Sequence, residues 1–175
     1  MRTLALALTL VLSLSVSVPA RAAVDETNAN RLNALGLFLG TGSGYDLGGS
    51  ATRLHGIIML TRMLGEEADA LSFDGPCPFS DVAAGKPSAY TGYAFAQGYT
   101  TGVSTTTFRP NGALSFKHYV TFLLRALGYD DGAGDFTFAA SLDKAVEIGM
   151  MTRASADCIL QKQYALYRGD LVDLF

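Results

Sequence analysis

The segment Met59–Gly65 (MLTRMLG) returns as Phe122–Gly128 (FLLRALG), and this echo constrains the fold more than any other feature of the chain. Leu60/Leu123, Arg62/Arg125, Leu64/Leu127 and Gly65/Gly128 stand 63 positions apart, as do Tyr45/Phe108, Thr52/Ser115 and His55/His118. A glycine pair leads into each copy, Gly36 with Gly40 and then Gly98 with Gly102. A chain that repeats one supersecondary unit buries its core by stacking copies. Its functional surface is therefore expected between copies rather than in a single catalytic pocket.

Each copy reads as helix–loop–helix. In the first, Leu32, Leu35 and Leu39 give helical spacing over Arg31–Leu39, and the glycine-rich loop that follows has Tyr45 and Leu47 as buried anchors. Thr52 caps a long helix carrying Leu54, Ile57, Ile58 and Leu60, and Gly65 supplies a left-handed stop. Asp74–Pro78 is turn chemistry. The second copy opens at Phe79, with a helix from Ala89 capped by Ser88, a loop from Gly98 to Gly112, and a Ser115-capped helix ending at Gly128. The turn Asp130–Gly134 leads to a third first-helix around Leu142, Ala145 and Val146, and to the opening of a last helix at Tyr167. Only Ile159-Leu160 and Thr105–Phe108 suit extended structure. The expectation is an all-α fold with repeats at 30–73, 79–130 and 135–175, the third incomplete.

Arg2 followed by the apolar run Leu4–Val18 and Ala20-Arg21-Ala22 predicts a secretory signal peptide over 1–22, then a flexible leader over 23–29. The run is shorter than the roughly 20 residues a membrane span needs, so no membrane association is expected after cleavage. Thirteen basic and sixteen acidic residues give a net charge of −3, and cleavage removes Arg2 and Arg21. An acidic mature chain argues against nucleic acid and anionic lipid as partners. In an exported chain Cys77 and Cys158 are either one disulfide or two free thiols.

No nucleophile, base and orienter set stands out, and the loop glycines lack phosphate-binding spacing. Glu66-Glu67 and Asp130-Asp131 read as solvated boundary residues. His55 and His118 have no metal-ligating neighbours at suitable spacing, so no metal and no cofactor is expected. Arg62 and Arg125 read as partners of helix C-terminal carbonyls. Arg168-Gly169-Asp170, at a helix start, is read as a chance tripeptide. The chain is not expected to be an enzyme.

Phe79-Ser80-Asp81-Val82, Tyr99-Thr100-Thr101-Gly102 with Phe108-Arg109-Pro110-Asn111-Gly112, and Ala51-Thr52-Arg53 with Arg62-Met63-Leu64-Gly65 carry a family resemblance. In this order, from about Asn30 onward, the chain resembles the S-layer homology domains by which exported bacterial proteins hold on to the cell wall. The resemblance implies three repeats in a pseudo-three-fold arrangement. It also implies inter-repeat grooves that bind a secondary cell-wall polysaccharide, often one bearing a pyruvate ketal, with help from the arginine of a Thr-Arg-Ala-Glu motif. Arg53 and Arg168 match that arginine. A guanidinium forks a carboxylate with two charge-assisted hydrogen bonds, which suits the role. The second copy has Phe116 at that position, leaving Lys117 or Arg109 as substitutes. Gly102 lets backbone approach the sugar. The family's tryptophan is absent, so Tyr90 is a candidate for stacking on a sugar ring. His55 and His118 stand where the family's capping glutamate sits and could make pH-sensitive contacts with the polysaccharide. The expected function is a secreted, non-catalytic cell-wall anchor. The alternatives are a surface-layer protein that self-associates without binding sugar, and the anchor of a longer exported enzyme.

Overall fold

The computed structural model describes residues 26–162 and 165–173. The expected signal peptide and the first part of the leader lie outside them. Among the described residues eight helices follow in order: α1 (Thr27–Ala34), α2 (Arg53–Met63), α3 (Glu67–Ser72), α4 (Lys86–Ala96), α5 (Phe116–Ala126), α6 (Ser141–Glu147), α7 (Arg153–Lys162) and α8 (Arg168–Val172). Among the described residues extended backbone meets only in isolated bridges, so the fold is all-α.

Five of these helices stop in the same way: α2 and α5 end at Gly65 and Gly128, with φ of 75° and 91° and the amides of Glu66 and Tyr129 on the Thr61 and Leu124 carbonyls. After α1, α4 and α6 the chain turns through Gly36, Gly98 and Gly149, with φ of 72°, 79° and 77°. In each case the next amide reaches back to the last helical turn: Leu37 to the Leu32 carbonyl, Tyr99 to Ala94, and Met150 to Ala145. Glycine is the residue that adopts this left-handed geometry without a steric penalty. The same stop ends α1 at Ala34, five residues before the expected end, and leaves Leu35 and Leu39 exposed. Helix α4 begins at Lys86 rather than after Ser88, because Pro87 is tolerated in a first turn where its missing N–H costs nothing. Ile159 and Leu160, expected to be extended, lie in α7. Thr152 caps that helix by accepting from the Ser155 amide at 3.1 Å, and Ala156 and Ile159, three apart, turn towards α5 and α6.

The starts of α2, α5 and α8 meet at one point. The Ala51 N–H donates to the Leu166 carbonyl at 2.8 Å, the Leu166 N–H to Leu114 at 2.8 Å, and the Leu114 N–H to Ala51 at 2.9 Å. These bonds close a ring in which each residue donates once and accepts once, and all three side chains are buried. Isolated bridges flank the ring, pairing Ser50 with Tyr167, Thr52 with Ala113 and Ser115 with Ala165. Around it pack Ile57, Leu60, Phe108 and Tyr119, while Val120, Leu124, Phe136, Leu142 and Ala156 form a second cluster under α7.

Leu114 holds the centre of the ring with a fully buried side chain. Leu114→Ala is expected to destabilise the fold by about 2–5 kcal/mol, the usual cost of emptying a leucine site. Leu127→Ala, at an exposed site, should change stability by less than about 0.5 kcal/mol. Denaturant unfolding of both variants checks the contrast.

Candidate functional site

Each helix start at the ring is completed by its own side chains, and those of α2 and α8 also by a loop from elsewhere in the chain. Thr52 Oγ1 accepts from the His55 amide, and His55 Nδ1 accepts from the Thr52 amide, both at 3.2 Å. Ser115 and His118 form the matching pair, with Ser115 Oγ 2.6 Å from His118 Nδ1. At α8 the Tyr167 amide donates to Asp170 Oδ2 at 2.7 Å. The next amides, which a helix leaves without internal partners, are taken by a neighbouring loop. Arg53 and Leu54 donate to the carbonyls of Gly112 and Pro110, and Arg168 and Gly169 donate to Gly49 and Leu47.

That docking inserts two arginines between units. Arg53 is 3% exposed, and its Nε donates to the Phe108 carbonyl at 2.8 Å. Its guanidinium carbon lies 4.8 Å from the Phe108 ring centroid and 5.4 Å from that of Phe122. Arg168, also buried, donates Nε to the Tyr45 carbonyl at 3.1 Å and covers the Phe38 ring at 5.0 Å. Tyr45 and Phe108 are equivalent loop aromatics, so both arginines meet the same feature of the loop they enter. Among the described residues no carboxylate forms an ion pair with either. A guanidinium so placed has lost much of its hydration. Burial, then Arg125 and Arg109, push the Arg53 pKa down to about 10, and burial lowers that of Arg168.

Each arginine has a histidine and a second arginine beside it. Burial and the charge of Arg168 hold His55 below the ordinary histidine value, and burial and Arg53 do the same for His118. Arg62 donates Nε to Glu67 at 2.8 Å, and Arg125 forks Asp131 at 2.8 and 2.7 Å while reaching Thr101 Oγ1 at 3.2 Å. These arginines thus pair with carboxylates past the helix end rather than with helix carbonyls, and Glu67 and Asp131 are partners of Arg62 and Arg125 rather than solvated boundary residues.

The surroundings of the two arginines differ at one loop position. Asp46 and Arg109 are equivalent, and both hold left-handed backbone, with φ of 50° and 59°. Asp46 faces Arg168 and His55, whereas Arg109 adds to the charge around Arg53. The loop bearing Arg109 is clamped by Asp81, which accepts from the amides of Phe108 and Arg109 at 2.8 and 2.7 Å. Although burial alone would raise it, those bonds hold the Asp81 carboxyl below its ordinary value. The Arg168 groove contains a cavity of about 330 Å³ bordered by Phe38, Gly40, His55, Met59, Arg62 and Arg168.

The third junction is of another kind. Helix α7 stands where the other units carry the glycine loop, and Phe116 occupies the position equivalent to Arg53. An apolar cleft of about 860 Å³ lies there, bordered by Phe116, Leu123, Met150, Met151, Cys158 and Ile159. Both cysteines are free thiols, Cys158 at this cleft and Cys77 near Thr91 Oγ1.

Of the residues singled out in the sequence, Arg53 and Arg109 come together, with Gly102 next to the Thr101 that holds Arg125. Gly102 is needed for its shape: a Cβ there would fall 2.5 Å from both the Phe79 ring and the Ser104 carbonyl oxygen. Arg168 belongs to the other groove. Lys117 donates to the Ala139 carbonyl at 3.2 Å, on the side of the third unit. Tyr90 is buried between units, with its hydroxyl on Glu67, and its pKa is pushed up to about 12 by burial and that carboxylate. Phe38, Arg62 and Arg125 are groove residues that the sequence reading assigned to no site. For the arginine pair, the shared offset was the available signal. Among the described residues no cluster of three or more metal-ligating side chains occurs, and no helix is long and apolar enough to cross a membrane. Compared with known families and curated proteins, the chain matches no family model and no curated relative.

Two outcomes are expected. Arg53→Met should keep stability within about 1 kcal/mol of wild type, because losing one hydrogen bond is offset by removing a buried, unpaired charge; urea titration measures it. Since His55 and His118 are held below their unfolded value of 6.5, the unfolded chain binds more protons below that pH. Stability should therefore fall as pH drops through 6.5 and level off beneath the folded-state values. His118→Gln should weaken this slope between pH 7.5 and 5.5, read from melting temperatures.

Proposed function

We propose that the chain is a secreted, non-catalytic cell-wall-anchoring module that binds an anionic secondary wall polysaccharide in the Arg53 and Arg168 grooves. The observation carrying this reading is the pair of buried guanidiniums, each anchored by Nε to a loop carbonyl and unpaired with any described carboxylate. Such a cation is costly unless an anion completes it, and a guanidinium presents a fork that matches a carboxylate. The resemblance to S-layer homology domains supports the same ligand class and, with the ring of helix starts, a pseudo-three-fold arrangement of three repeats. On this reading sugar binds at two junctions, and Phe116 makes the third one apolar. Arg109 and Gly102 shape the Arg53 groove, while Lys117 and Tyr90 support packing.

The test is co-sedimentation of the mature chain with purified cell-wall sacculi. Arg53→Met should weaken retention, and Arg53→Met with Arg168→Met should reduce it by at least about tenfold, the scale of losing charge-assisted hydrogen bonds. Chemical removal of pyruvyl groups should do the same. Retention unchanged by all three treatments would refute charge recognition.

A further inference from the structure

His55 has one lone pair and two claimants. Its Nδ1 accepts from the Thr52 amide at 3.2 Å, and its Nε2 lies 3.5 Å from Arg168 Nη1. A neutral imidazole carries one N–H and one acceptor nitrogen. Because the backbone amide takes the acceptor at Nδ1, the proton sits on Nε2. Arginine nitrogens only donate. Two donors, Nε2–H and Nη1–H, therefore stand side by side at the edge of the 330 Å³ cavity. Arg168 itself is 8% exposed and fixed by Nε on Tyr45 and by Nη2 on Leu39 at 3.4 Å.

We infer that His55 is a second ligand-binding residue of the Arg168 groove, its Nε2–H and the Arg168 Nη1–H converging on a single carboxylate group. Side-by-side donors are satisfied together by one anionic oxygen pair. The charge count around them favours a monoanion. Arg168 is the groove cation that has no carboxylate ion pair among the described residues, Arg62 is neutralised by Glu67, and neutral His55 contributes hydrogen bonding rather than charge. A dianionic phosphate would face Asp46 with no spare cation, so the groove selects carboxylate. The inference rests on the proposed wall-binding reading only for the choice of carbohydrate probe.

Binding is also coupled to protonation. The groups facing His55 are Arg168 from α8, Asp46 from the loop, Arg62 on its own helix and the Thr52 amide. In the free protein burial, and then the charge of Arg168, disfavour the imidazolium, and protonating Nδ1 would expel the Thr52 amide. A carboxylate seated on Nε2–H stabilises the imidazolium. Ligand and proton therefore favour each other, and affinity rises as pH falls through the histidine range.

The experiment uses the mature chain with labelled histidine and, as probe, methyl glucoside bearing a 4,6-pyruvate ketal. Inorganic phosphate is the comparison ligand. Nitrogen-15 spectra should show His55 as the Nε2–H tautomer. Saturating probe should shift Nε2 and raise the His55 titration midpoint, with affinity at pH 5.5 about threefold or more above that at pH 7.5. His55→Glu keeps an acceptor for the Thr52 amide but removes the donor, and should lose about tenfold in affinity while melting as wild type does. His55→Gln, which retains an N–H donor, should bind at pH 7.5 without the pH dependence. An unmoved His55 resonance, wild-type affinity in His55→Glu, or phosphate binding as tightly as the ketal would overturn the inference. Sedimentation with sacculi while His55 stays unmoved would overturn it and leave the wall reading standing. A titrating His55 without sedimentation would do the reverse.

Discussion

Three backbone hydrogen bonds, among Ala51, Leu114 and Leu166, govern the rest of the structure. They are buried, so each must be made or its polar groups left unsatisfied at a cost of about 1–3 kcal/mol apiece. Making all three fixes where α2, α5 and α8 begin relative to one another. Once those starts are fixed, the first free amides of α2 and α8 can be satisfied only by the loop each abuts. The carbonyls of Gly112, Pro110, Gly49 and Leu47 are there to accept them. The arginines follow from this docking. Each is the first residue of its helix, so its side chain enters the crevice that the docking creates. The burial of these two guanidiniums is in this sense a by-product of how the helix starts and loops interlock.

The parts that could be read from the sequence are those whose cause is local. Thr52 and Ser115 announce helix starts, and Gly65 and Gly128 announce stops, because capping and left-handed geometry depend on a few neighbouring residues. Arg53 and Arg168 were singled out by their resemblance to the arginine of a Thr-Arg-Ala-Glu motif. What escaped depends on geometry beyond the single helix. Arg62 and Arg125 pair with Glu67 and Asp131, five and six residues on, because the glycine turn folds the chain back over the helix end. Helical periodicity has no way to express that contact. Tyr90 carries the pattern of a candidate sugar platform, but its surroundings come from α3, a short helix that places Glu67 over its hydroxyl. Helix α7 was missed because its apolar spacing is sparse and its stabilisation comes from packing on α5 and α6.

The third junction shows two departures from the pattern that belong together. A buried arginine is tolerable where a loop carbonyl takes Nε and an aromatic ring lies under the guanidinium, as Phe108 provides for Arg53. With α7 in place of a glycine loop that environment is replaced by Met150, Met151 and Ile159. A cation there would be desolvated with little compensation. Phe116 instead adds apolar area to the same surface. The loss of charge at one position and the change of structure at another are one adaptation to a single interface.

A ring of three donors and three acceptors has no free valence. An open array of stacked units exposes an unsatisfied face at each end, so it can lengthen by one unit at a time and its stability grows with its length. The Ala51–Leu114–Leu166 circuit offers no such face, because every amide and carbonyl in it is already engaged. A fourth segment could enter only by displacing one of the three. A longer protein built on this plan would grow by adding whole circuits side by side, in steps of one complete module.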